Sequence, residues 1–174
     1  MPLKHGCPFN LLNQSISKIF FKMPYLSNHQ LKLLTSAEGK TLQKILIYFW
    51  VNKLNPSESV ELIDNVEFHF TDKSTLVVTC NDESNGLTVI DDFDFEQEKA
   101  DLKLEFGDKI RMIPIDASTT KMWVDVIGET IESIDLSKEG ENYLDDALII
   151  NFGIEKRTIG LSPLDGLIID YWEE

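Results

Sequence analysis

The chain has 174 residues, 43% of them hydrophobic and 26% charged, with a formal net charge of −14. That length suits a single compact domain, 1–174, whose core needs no disulfide or metal staple. The charge argues against nucleic-acid or anionic-membrane partners, which repel an acidic protein. The two cysteines, Cys7 and Cys80, fit no redox or zinc spacing, which excludes a disulfide-built secreted scaffold.

The N-terminal stretch FNLLNQSISK is interrupted by Asn10, Asn13, Gln14, Ser15 and Ser17. It lacks the continuous apolar segment of a secretory signal. No run approaches the ~18 apolar residues of a membrane span, so the expected location is the cytoplasm. Residues 1–53 hold seven lysines and one acid, Glu38, a local charge of +6 that leaves −20 on the remainder. This asymmetry reads first as a basic segment packed on an acidic body.

The first expected element is a short strand, IFFKMP, closed by Pro24. A helix over HQLKLLTSAEG follows, capped by Ser27 or Asn28 and stopped at Gly39, where the chain needs a positive φ. GKTLQKILIYFWV then reads as a strand. Its Tyr48, Phe49 and Trp50 alternate sides, so both faces are covered only if the strand is central. Alternating apolar residues mark three more strands: Leu62, Val66, Phe68 and Phe70; Leu76 and Val78; Leu87 and Val89. The turn clusters TDKS and NDESNG separate them. Cys80 reads as a small buried hydrophobe, and His69, opposite Phe68 and Phe70, as solvent-facing.

Residues 94–108 are ambiguous. Their Glu, Lys, Ala and Leu favour helix, but DLKLEF alternates and FGDK suits a tight turn, which selects a hairpin over 101–115. Beyond it the pattern repeats. KIRMIP matches KIFFKMP at a shift of 91 to 90. GETIESIDL matches GKTLQKILI at 89, LDDALIINF matches LIDNVEFHF at 82, and LDGLIIDYWE matches SNGLTVIDDF at 80. The matches are collinear, so the expected organisation is an internal repeat, 18–93 and 109–172, joined by 94–108. The counterpart of the first helix is TKMWVDVIG, capped by Ser118 or Thr119 and stopped at Gly128. Leu76 and Val78 correspond to Ile159 and Leu161 by their alternation. Leu167, Ile169 and Tyr171 should face the core, and Ile168, Asp170 and Trp172 the other side. The pairing of Ile19–Pro24 with Ile110–Pro114 predicts that residues 18–22 are structured, so that Met23 is not the start. The expected fold is mainly β, or α+β with short helices. Two tandem pseudo-equivalent antiparallel meanders would form a sandwich or strongly curved sheet.

Catalytic motifs are absent. Gly39-Lys40-Thr41 has the end of a phosphate-binding loop, but Leu34 stands where that loop needs its first glycine. His5, His29 and His69 fit no zinc pattern, and no serine or cysteine has the setting of a nucleophile. No cofactor or metal is expected. Asp82, Glu83, Asp91, Asp92 and Asp94 match no calcium loop and read most simply as solvated turns. They are also the candidate binding residues, with Trp50 and Trp172 as aromatic anchors. The leading expectation is a non-enzymatic acidic binding protein for a basic partner protein. One version is an immunity-type inhibitor that plugs the basic site of a toxin. The alternatives are a small-molecule or carbohydrate binder, or a hydrolase, using a concave sheet face, and a structural, oligomerising β module.

Overall fold

A computed structural model describes residues 25–52, 60–162 and 166–171; the expected strand at 18–24, the 53–59 connection and Trp172 lie outside them. The elements run α1 (Asn28–Ala37), β1 (Leu42–Asn52), β2 (Val60–Phe70), β3 (Thr75–Cys80), β4 (Leu87–Ile90), α2 (Phe95–Phe106), β5 (Ile110–Asp116), β6 (Ser133–Glu139), β7 (Asn142–Phe152), β8 (Glu155–Ser162) and β9 (Gly166–Tyr171). The protein is mainly β, and its antiparallel sheet curls strongly into a half-barrel.

β2 is the hub of the sheet. β1 pairs with its whole length, Leu42 opposite Phe70 and Asn52 opposite Val60. On its other edge, residues 65–69 pair with β3, and Ile63 meets Leu167 of β9. β4 continues outward from β3, while β8, β7 and β6 follow in turn from β9. β5 lies outside β1, Pro114 opposite Tyr48. It does not stop at proline as expected but runs on to Asp116. Among the described residues β5 pairs with β1 alone, and a strand with one free edge tolerates the missing N–H of proline.

Alternation sorts the side chains. Ile45 and Ile47 of β1, Val66, Phe68 and Phe70 of β2, Val78 of β3 and Val89 of β4 point inside the curl. Leu148, Ile150, Ile159, Leu167 and Ile169 meet them there. Ile168 and Asp170 are exposed, as the period-2 reading requires. Leu34 and Ala37 of α1 cover part of this core. Ser27 and Gln30 form a complete capping box at the helix start, which satisfies two otherwise orphaned N–H groups. The segment 118–128 is a series of tight turns rather than the expected second helix. Its Trp123 is wholly buried edge-on to Phe68, centroids 5.8 Å apart. Ser118 does not cap a helix there: its Oγ accepts from Ile45 N at 3.0 Å, which pins the segment to β1.

The two halves meet through equivalent backbone groups. Gly39 N donates to Ile131 O, and Gly128 N to Leu42 O, each at 2.8 Å. Leu42 N donates to Glu129 O at 2.9 Å and Ile131 N to Lys40 O at 3.0 Å. Each bond maps onto its mate by the shift of 89 that relates GKTL to GETI, and Thr41 and Thr130 bridge at the centre. Gly39 and Gly128 have φ of 80° and 91°, which is the reason both positions carry glycine. The third strands need a correction. Leu76 lies opposite Phe68 as Arg157 lies opposite Ile150, so Leu76 corresponds to Arg157 and Val78 to Ile159.

The second correction concerns 95–106, which is a helix and not part of a hairpin. Asp94 Oδ1 accepts from Glu96 N and Gln97 N, and Gly107, at φ 63°, ends it. α2 covers the outer face of β1 and β5. Leu102, Tyr48, Trp50, Leu62, Ile110 and Met112 make a second small core, with Phe93, Phe95 and Phe106 packed against it. This is why β1 is apolar on both faces. No described helix is long and apolar enough to cross a membrane.

Candidate functional site

One row of outward side chains crosses the sheet beside α2. Tyr48 lies opposite Asn65, Asn65 opposite Thr79, and Thr79 opposite Thr88. Cross-strand neighbours share a face, so these residues stand side by side. Tyr48 is sealed under Phe93, ring centroids 5.0 Å apart. Thr79 and Thr88 are half-exposed, and Asn65 is buried beside them. Asn65, Thr79 and Thr88 form the floor of a cleft of about 290 Å³, walled by Ile90 and Phe93. Asp64, Cys80, Asn81, Asp82 and Glu98 complete the described lining. No lysine or arginine is among them.

Local geometry explains the cleft. The β1–β2 register slips between Tyr48 and Phe49, so that Tyr48 faces Asn65 while Phe49 faces Ile63. Asp64 is the extra residue of a bulge in β2, and it is buried. α2 starts only after Phe93 and Asp94, which leaves β3 and β4 uncovered beyond its first turn. The β3–β4 turn forms the outer lip. Asn81 Oδ1 accepts from Glu83 N and Asn85 N, and its Nδ2 donates to Asn85 Oδ1 at 2.8 Å. These bonds hold Asp82 at the cleft.

The floor is polar and idle. Asn65 is only 3% exposed. Its carboxamide, like the hydroxyls of Thr79 and Thr88, makes no hydrogen bond within the described residues. Thr79 and Thr88 are half-exposed, so the polar groups of this floor are open to water or to a ligand in the cleft.

The expected binding residues divide. Asp82 lines the cleft. Glu83, Asp91 and Asp92 are exposed but do not line it, and Glu83 Oε2 accepts from Asn85 Nδ2 at 3.1 Å. The Asp94 carboxylate is occupied in capping α2. Trp50, 3% exposed, lies in the core beneath α2 beside Phe106, rather than on the surface. Trp172 lies outside the described residues. Asp64, Asn65, Thr79, Thr88, Phe93 and Glu98 also line the cleft and are not among the expected binding residues. Their one sequence signal is that Asp64-Asn65 interrupts the period-2 alternation of LIDNVEFHF.

A polar chain adjoins the floor. Tyr48 OH donates to Glu67 Oε2 at 2.5 Å, and Glu67 Oε1 is 3.3 Å from His69 Nε2. His69 is therefore half-buried on Glu67, not simply solvent-facing as expected. Burial, then the hydrogen bond and charge of Glu67, raise the Tyr48 pKa above the ordinary phenol value. Tyr48 thus stays a neutral donor, which suits a structural strut and not a nucleophile. Among the described residues no cluster of three or more His, Cys, Asp or Glu side chains is placed to hold a metal. Cys80 is buried and forms no disulfide among the described residues.

The fold and cleft define a curled antiparallel β protein with one helix flanking a small acidic cleft. Comparison of the chain with protein-family models, curated proteins and solved structures returns no match.

Proposed function

We propose that this chain is a non-enzymatic acidic binding protein. It meets a basic partner protein through the face formed by α2, the β3–β4 turn and the cleft between them. The supporting observation is charge placement. Residues 81–108 contain ten acids (Asp82, Glu83, Asp91, Asp92, Asp94, Glu96, Glu98, Asp101, Glu105, Asp108) and two lysines, Lys99 and Lys103, a local charge of −8. Eight of the acids are exposed and Glu98 and Asp101 half-exposed. Lys99 is engaged with Glu96 at 3.3 Å. Such a field steers a basic protein to the surface and rejects acidic ones. The setting we propose is the cytoplasm, and the concrete form is an immunity-type inhibitor covering the basic site of a toxin.

A parallel retention experiment tests this reading. The intact chain and a variant carrying Asp82→Asn, Glu83→Gln, Asp91→Asn and Asp92→Asn are immobilised and exposed to the same host lysate. The expected result is a basic protein held by the parent at low salt, released at high salt, and not held by the variant. Equal retention by both would overturn the proposal, as would retention that salt does not weaken. A second reading, a small-molecule binder, is favoured by the cleft itself, which joins carboxylates to an aromatic wall.

A further inference from the structure

We infer that the cleft is a receptor for a single guanidinium group, the head of an arginine side chain. The inference deepens the proposed function and rests on it only for the macromolecule that carries the arginine. Three observations lead to it.

The first is the idle floor. Asn65, 3% exposed, lines the cleft with the half-exposed Thr79 and Thr88. Together they offer one carboxamide and two hydroxyl oxygens as acceptors. The second is charge. Asp64, Asp82 and Glu98 line the same space and, among the described residues, no lysine or arginine does. Asp64 and Glu98 have contacts of their own, but their charge still bears on the cleft. A cation is attracted and an anion repelled. The third is size and wall. A volume of about 290 Å³ lies at the bottom of the ~300–1,000 Å³ typical of small-molecule sites. One side-chain head fits; a nucleotide does not. Phe93 and Ile90 supply an apolar wall, against which a planar, weakly hydrated guanidinium packs better than a compact, strongly hydrated ammonium. Its forked N–H donors match a floor made of acceptors.

The test uses the full chain and arginine blocked at both ends, N-acetyl-arginine methylamide, followed by two-dimensional amide NMR. Blocked citrulline, isosteric but uncharged, and blocked lysine are the comparisons. The expected result is saturable shifts confined to residues 64–65, 79–82, 88–90 and 93–98. Citrulline should give none, and lysine should bind about tenfold more weakly. Thr79→Val/Thr88→Val keeps strand-forming residues at both positions and should weaken arginine binding about tenfold or more. Asp82→Asn, on an exposed turn, should weaken it several-fold without disturbing the fold. Equal binding of citrulline, shifts centred elsewhere, or no saturation would overturn the inference.

These outcomes separate from those of the retention experiment. A basic protein held by the acidic face, with blocked arginine failing to bind, rejects the cleft and leaves the binding-protein reading standing. Arginine binding without any retained basic protein does the reverse.

Discussion

Asp145 is buried to 4% exposure against the β3–β4 turn, and one of its carboxylate oxygens has no hydrogen-bond partner. Burial pushes its pKa up to about 6, aided by the charge of Asp146 and opposed by hydrogen bonding, including that to Asn81. A folded-state pKa above the unfolded value means that the native state binds the proton more tightly. Stability from this group is therefore greatest below about pH 4 and falls as pH rises towards about 6. Asp145→Asn should raise the melting temperature by about 2–4 °C or more at pH 7. The gain over the parent should vanish near pH 4 in calorimetric scans. Gly86 exists because of this residue. A Cβ there would lie 2.1 Å from Asp145 Oδ2. Gly86→Ala should therefore destabilise strongly, and much less in an Asp145→Ala background. Equal cost in both backgrounds in a denaturant-based double-mutant cycle would refute the contact.

At the scale of elements, α2 determines whether a cleft exists. Its hold on the sheet rests on Leu102 and the aromatic residues around it, with Asp94 fixing where it starts. Asp94→Ala should cost about 0.5–2 kcal/mol, and Leu102→Ala about 2–5 kcal/mol. In amide exchange both should loosen α2 and β5 before β7 and β8. The sequence made the strands legible, because period-2 alternation in LIDNVEFHF and LDDALIINF reports a buried face directly. It misjudged α2. DLKLEF alternates, yet Leu104 is 84% exposed and only Leu102 is buried, so the alternation carried no burial signal. The helix is set by the Asp94 cap and by the aromatic face it covers, which sequence neighbours do not reveal. Arg157 misled the third-strand alignment for a related reason. It is wholly buried and takes a position that is leucine in the other half. It survives there because its Nη1 reaches Lys156 O at 2.8 Å and Glu155 Oε2 at 3.0 Å. The cleft was illegible because its floor is three ordinary polar residues from three strands, joined only by register.

At the scale of the whole molecule, the half-barrel is fastened where the two halves exchange matched backbone hydrogen bonds around Thr41 and Thr130. Because the bonding at Gly39 and Gly128 is equivalent, Gly39→Ala and Gly128→Ala should cost similar amounts, about 1–2 kcal/mol each, in chemical denaturation. The features of the proposed binding face do not share this symmetry. α2, the acidic arc and the cleft lie against β1–β5, while β6–β8 continue the sheet beyond β9 and meet the β3–β4 turn at Asp145. A hydrogen-exchange footprint of the chain bound to the basic protein it retains tests this division most directly. The account predicts protection concentrated in residues 79–83 and 88–106, with β6–β8 unchanged. Protection centred on β6–β8, with α2 and the β3–β4 turn exchanging as in the free chain, would contradict it.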